Sequence, residues 1–147
     1  MEIKINQLTV ASQEVLCKIN MLLDVLSAGS QVLTYDELAG IINSDNTTIF
    51  IAEEKGEIVG MMSFVTYRIP SGLKGWIEDV AVDKSQQGKG IGRALIEKAI
   101  EYANQLNIRK IDLTTAPHRL AANALYQKIG FVKRETNVYR LALLSLK

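Results

Sequence analysis

The segment Gln87-Gly88-Lys89-Gly90-Ile91-Gly92-Arg93 sets glycines at alternate positions directly before the strongest amphipathic helix pattern in the chain. The run Trp76-Ile77-Glu78-Asp79-Val80-Ala81-Val82 in front of it reads as a strand. A chain that passes from a strand through a tight turn into a helix has to stack that helix on a sheet, which points to an α/β fold. At such a turn the backbone N–H groups of the first helical residues have no partner, and the positive end of the helix can receive an anion. Glycine permits positive φ and close approach of a ligand to the backbone. Phosphate is the expected guest, with Lys89 or Arg93 adding charge at the rim. A tight turn without a ligand is the other reading of the same glycines.

Two familiar phosphate loops do not match. A P-loop requires Gly-Lys followed by Ser or Thr, whereas Lys89 precedes Gly90. The dinucleotide fingerprint requires a third glycine three positions after the second, and that position is Arg93.

Around this turn the pattern predicts a mixed sheet. Ile3, Ile5 and Leu8 suggest a first strand, and Val15, Ile19, Leu22, Leu23 and Leu26 recur at helical spacing. Thr34 and Glu37 form a capping box for a second helix through Leu38, Ile41 and Ile42. Thr47–Ala52 and Ile58–Val65 read as a hairpin about Glu54-Lys55-Gly56-Glu57, and a loop is expected near Pro70 to Gly72. From Ile91 onward Leu95, Ala99, Tyr102, Ala103 and Leu106 form one apolar stripe. Lys110–Thr114 predicts a fifth strand, Ala122, Leu125 and Ile129 a short helix ended by Gly130, and Asn137–Leu144 a last strand. The order is β-α-α-β-β-β-α-β-α-β, and with no linker or repeat in view residues 1–147 are expected to form a single domain.

Composition removes several classes of function. Seventeen basic against sixteen acidic residues leave a net charge of +1, so no global field draws the chain to nucleic acid or to an anionic membrane. With Cys17 as the one cysteine, an internal disulfide, paired-cysteine redox chemistry and a cysteine zinc site are all excluded, and no metal is expected. A polar-apolar alternation from Met1 to Val10 lacks the character of a secretion signal, and no stretch approaches the ~20 apolar residues of a membrane span, so a cytoplasmic location is expected. Cys17 is expected to be a buried thiol of the first helix, and His118, the one histidine, to be exposed.

Val80-Ala81-Val82-Asp83, then Gln87, Gly90 and Gly92 before an amphipathic helix, resembles the acetyl-CoA signature of the GNAT family of N-acetyltransferases. Leu125-Tyr126-Gln127-Lys128-Ile129-Gly130-Phe131 is similar to the family's later motif. The resemblance implies the GNAT fold and acetyl-CoA as acyl-donor co-substrate. It also implies a strand at Val80, Ala81 and Val82 that splays from its neighbour and pairs with the pantetheine arm, and a turn of Gln87, Gly88, Lys89, Gly90, Ile91, Gly92 and Arg93 that wraps the pyrophosphate.

The implied reaction is direct attack of a neutral amine on the acetyl thioester. An alkyl amine with a pKa near ~10 is mostly protonated at neutral pH, so a base is required. The resemblance suggests Glu78, acting through ordered water, with Asp79 as its close rival; a solvated or salt-bridged strand end is the other reading of the pair. Tyr126 takes the position of the general acid that protonates the departing thiolate, although its spacing alone also suits a core tyrosine. Many relatives carry asparagine seven residues before this tyrosine, where this chain has Arg119, and Asn123 is the candidate substitute in pantetheine binding.

The acceptor is expected to be the amine of a small molecule or peptide, with Arg68–Lys74 as a lid. Two copies are expected to pair through sheet edges or through the apolar segment Tyr139–Leu146, as relatives often do. A non-catalytic acetyl-CoA-binding regulatory module and transfer of a longer acyl group, or to oxygen, are the rival functions.

Overall fold

In the computed structural model, residues 2–143 are described, and the chain divides into two compact units, Met1–Thr114 and Thr115–Lys147. In the first unit a sheet of five strands runs in the order β1-β2-β3-β4-β5. These strands are β1 (Ile3–Gln7), β2 (Thr47–Glu54), β3 (Glu57–Ile69), β4 (Gly72–Val82) and β5 (Ile111–Asp112). The first four are antiparallel neighbours, and β5 joins β4 in parallel. The parallel pairing follows from the helix between β4 and β5, since a crossover of this kind reverses the chain before it re-enters the sheet. The mixed α/β sheet expected from the residue pattern is therefore present.

Helices α1 (Gln13–Leu26) and α2 (Tyr35–Ile42) cover one sheet face, and α3 (Ile91–Gln105) covers the other. Ser12 caps α1, and Thr34 and Glu37 form the expected capping box on α2. The four residues Ile49-Phe50-Ile51-Ala52 are all buried because β2 is covered on both faces. Ile49 and Ile51 join Leu8, Ile19, Leu22, Leu38, Met61 and Ala81 under α1 and α2. On the other face Phe50 and Phe64 meet the ring of Tyr102 of α3 edge-on, at centroid distances of 5.4 and 5.8 Å. Leu95, Ile96 and Ala99 of α3 have no exposed surface.

Strand glycines set how closely these layers approach. A Cβ at Gly60 would lie 3.1 Å from Ile91 Cγ2 and 3.2 Å from the Ala81 carbonyl oxygen, so the start of α3 rests directly on the β3 backbone. A Cβ at Gly75 would lie 2.6 Å from Phe64 Cζ.

Several expectations are corrected. Arg68–Lys74 is not an open loop: Tyr67 pairs with Lys74, Arg68 with Leu73 and Ile69 with Gly72, so the segment is the closed end of the β3–β4 hairpin. Cys17 is exposed, because α1 turns Ile19 and Leu22 inward and leaves Cys17 on the far side of the helix. The fifth strand is limited to Ile111–Asp112, the only stretch of the expected Lys110–Thr114 that forms the ladder to β4.

The second unit contains α4 (Leu120–Ile129), whose end is closed by Gly130 at φ +128°; the amides of Gly130 and Phe131 both donate to the Tyr126 carbonyl. No strand forms over residues 137–143, while Leu144 and the part of the Tyr139–Leu146 segment beyond residue 143 lie outside the described residues. Val138, Tyr139, Leu141 and Leu143 are 74–87% exposed, so the apolar alternation that reads as a strand has no ladder partner among the described residues.

Candidate active site

In the first unit the expected site residues gather around one irregularity in β4. Ser63 pairs with Glu78 and Met61 with Ala81, so two steps along β3 answer three along β4. The surplus is a β-bulge at Asp79, whose φ is +52°. Strict alternation would put Glu78 and Ala81 on opposite faces, and the bulge returns both to the face under α1 and α2, where Ala81 packs with Met61.

The other edge of β4 changes at nearly the same place. Gly75 pairs with Ile111 and Trp76 with Asp112, and no later residue of β4 pairs with β5. From Ile77 to Val82 that edge has no strand partner among the described residues, which matches the splay expected of Val80, Ala81 and Val82.

The glycine-rich turn follows at once. Gln87 Nε2 donates to the Val82 carbonyl at 3.1 Å, tying the turn to the strand end. Gly88 and Gly90 adopt φ of +79° and +83°, and a Cβ on either would meet nothing within 4 Å. Neighbouring packing therefore does not require these glycines; the left-handed backbone does. Gly90 is the N-cap of α3 and provides no side-chain cap, so the first N–H groups of the helix, at Ile91, Gly92 and Arg93, remain available. Ile91 is 1% exposed and anchors that end against Gly60. Lys89 Nζ donates to Gln86 Oε1 at 2.9 Å, and Arg93 Nε lies 3.4 Å from Glu97 Oε1, so both expected cations stand at the rim with exposed local partners. An open cradle, an uncapped helix start and an unpaired strand edge in sequence fit a ligand that carries a diphosphate and an amide-bearing arm.

Glu78 and Asp79 are both exposed. The Trp76 indole Nε1–H donates to Glu78 Oε2 at 2.9 Å. Sequence reasoning missed this contact; the signal for it was the two-residue spacing that places both side chains on one face of a strand. The Asp79 carboxyl is raised above the usual aspartate range, first because the protein around it removes water and second because the Glu78 charge is close.

The second unit carries the remaining expected residues. Tyr126 is half-buried, with its ring edge-on to Phe131 at 5.8 Å. Burial raises its phenol pKa, and the Arg119 charge acts against that rise. Asn123 Nδ2 donates to the carbonyls of Ala116 and Arg119 at 3.0 and 2.8 Å, closing the loop that leads into α4. His118 is exposed, as expected.

Comparison with known proteins gives one family model over residues 19–131, that of the acetyltransferase (GNAT) family. A mycothiol acetyltransferase of Amycolatopsis mediterranei is 34% identical over 99 residues, covering 64% of this chain and 33% of the relative. An L-2,4-diaminobutyric acid acetyltransferase of Marinococcus halophilus is 36% identical over 93 residues, covering 62% of this chain and 52% of the relative. The chain thus spans about a third to a half of these relatives' length. Among solved structures, an aminoglycoside acetyltransferase from an uncultured soil metagenomic sample superposes with a TM-score of 0.81 at 27% identity, covering 98% of this chain and all of that one.

Proposed function

We infer that this chain, which belongs to the acetyltransferase (GNAT) family, transfers an acetyl group from acetyl-CoA to the amine of a small molecule or peptide. One observation carries the reading: the edge of β4 loses its strand partner beyond Trp76 and leads straight into an uncapped helix start. In this assignment the backbone of Val80, Ala81 and Val82 holds the pantetheine arm, and Gln87 to Arg93 hold the pyrophosphate. Asn123 contributes through Oδ1, which accepts no hydrogen bond among the described residues. Bound acetyl-CoA supplies the activated acetyl carbonyl.

The residues of the chain handle the protons. Glu78 is the base that takes a proton from the acceptor ammonium, and Asp79 beside it is the alternative. General-base help of this kind contributes roughly 10²–10⁴ in rate. Tyr126 is the acid that returns a proton to the departing thiolate; a phenol is protonated at neutral pH and so has a proton to give. Residues 1–147 act in this reading as one acetyltransferase domain, working in the cytoplasm and pairing as a dimer through the C-terminal segment. Among the described residues no helix is long and apolar enough to cross a membrane.

Relatives named for diaminobutyric acid and for aminoglycosides favour an acceptor with more than one amine. The test is product mass after incubation with acetyl-CoA and a panel of diamino acids, aminoglycosides and peptides, using the parent chain and Glu78→Gln. An added acetyl group, formed more slowly by the variant, is the expected result. Acetyl-CoA binding without turnover of any amine would favour the regulatory-module reading, and no binding would overturn both.

A further inference from the structure

We propose that Trp76, the chain's one tryptophan, is a positioning residue that holds Glu78 with one carboxylate oxygen committed and the other presented to the acceptor. Trp76 is the last residue of β4 paired on both sides, to Val65 of β3 and to Asp112 of β5. Its backbone is therefore fixed where the strand edge opens, and its indole is half-buried. Glu78 lies two residues further along, exposed, beyond the last β5 pairing. An exposed glutamate left alone samples many rotamers, and ordering a long side chain costs up to about 2 kcal/mol. The 2.9 Å bond from Trp76 Nε1–H to Glu78 Oε2 joins the exposed carboxylate to the half-buried indole.

The chemistry of the donor decides which oxygen works. An indole N–H donates and never accepts, so Oε2 stays an acceptor for as long as the bond lasts. A proton taken by Glu78 then goes to Oε1. In that step an N–H bond of the acceptor ammonium breaks, Oε1–H forms, directly or through one water, and the electron pair stays on nitrogen as the nucleophile. The bond to Trp76 survives the transfer, because Oε2 remains the carbonyl-like oxygen of the protonated acid. Ser63, the β3 partner of Glu78, carries no charge, and Asp79 is the charged neighbour on its own strand.

This inference rests on Glu78 being the base, and a double-mutant cycle separates the two ideas. Trp76→Phe is expected to lower kcat about 10- to 100-fold, the usual consequence of a misplaced catalytic group, with KM for acetyl-CoA changed less than about twofold. In a Glu78→Gln background the same Trp76→Phe change is expected to leave kcat within about twofold, since no base remains to be positioned. Equal losses in both backgrounds, or no loss in either, overturn the positioning role while the base stands. Full activity of Glu78→Gln alone overturns the base and the positioning role together. Because Trp76→Phe removes part of a packed indole, a second measurement leaves the tryptophan in place: Glu78→Ala should shift the emission of this single tryptophan, excited apart from the tyrosines, and unchanged emission overturns the contact.

Discussion

The glycines of the β4–α3 turn and the glycines of the strands beneath α3 serve opposite purposes. Gly60 and Gly75 are surrounded: a side chain there would strike Ile91 and the Ala81 carbonyl, or the Phe64 ring. Gly88 and Gly90 have empty space where a side chain would go and differ from other residues only in their positive φ. Glycine in the strands lets protein approach protein. In the turn it permits a left-handed backbone ahead of an uncapped helix start, and the open space beside it is where the proposed diphosphate would sit.

If that contrast holds, Gly90→Glu gives the largest effect, and on binding. A carboxylate at the uncapped start of α3 repels a diphosphate, and like charges a few ångströms apart near a surface are worth several kcal/mol. Calorimetric titration should show acetyl-CoA affinity reduced on the order of 100-fold or more. The folding cost stays at about 1–2 kcal/mol, from the left-handed backbone. Retained affinity would mean that the turn is only a turn.

Gly75→Ala should invert the pattern. With its Cβ 2.6 Å from Phe64 Cζ, the ring has to move inside a packed core, and overpacking of this kind costs about 1–3 kcal/mol. Urea unfolding should record that loss, while the folded fraction binds acetyl-CoA with the affinity of the parent. Gly60→Ala falls between the two. Its contacts of 3.1 and 3.2 Å are milder, so about 1 kcal/mol of stability is at stake. One of its neighbours is Ile91, the first residue of the helix whose N–H groups are proposed to hold the diphosphate, so a several-fold loss of affinity should accompany the stability change. Affinity moving without stability, or the reverse, would show that the seat of α3 and the binding turn are independent.

The same contrast marks what could be read from residues. Local rules worked where the signal was local: Thr34 with Glu37 gave the start of α2, and the alternate glycines before an amphipathic stripe gave the turn. The far side of α1 was also within reach, because Cys17 lies about 200° from Ile19 at 100° per residue, and centring the apolar stripe on Ile19 and Leu22 would have exposed it. Pairing is different, since it depends on residues distant in the chain. Arg68–Lys74 looks like a loop until its ladder partners are known, and the seven-residue β4 pattern hides a bulge that only the register against β3 reveals. The adjacent Glu78 and Asp79 were the outward sign of that bulge. Their link to Trp76 depends on the geometry of a single strand face.

Asp79 is the position where the contrast breaks down, because it holds a positive φ of +52° without being glycine. Aspartate tolerates that region better than most residues, and asparagine does so as well, so Asp79→Asn changes the charge while leaving the backbone preference nearly alone. Folding raises the pKa of this carboxyl, chiefly through lost water and then through Glu78. The folded chain therefore favours the protonated acid, and at neutral pH the ionised carboxylate works against the fold. That penalty is relieved as pH falls through the raised folded-state value toward the ordinary aspartate value. Asp79→Asn should accordingly raise stability slightly at pH 7, with the gain shrinking toward zero in acid. Because the residue is exposed, this is the smallest effect of the set. Denaturation curves at neutral and acidic pH check it: a gain equal at both would trace the benefit to the left-handed backbone instead of the charge, and would place Asp79 with the turn glycines, as a residue selected for its conformation.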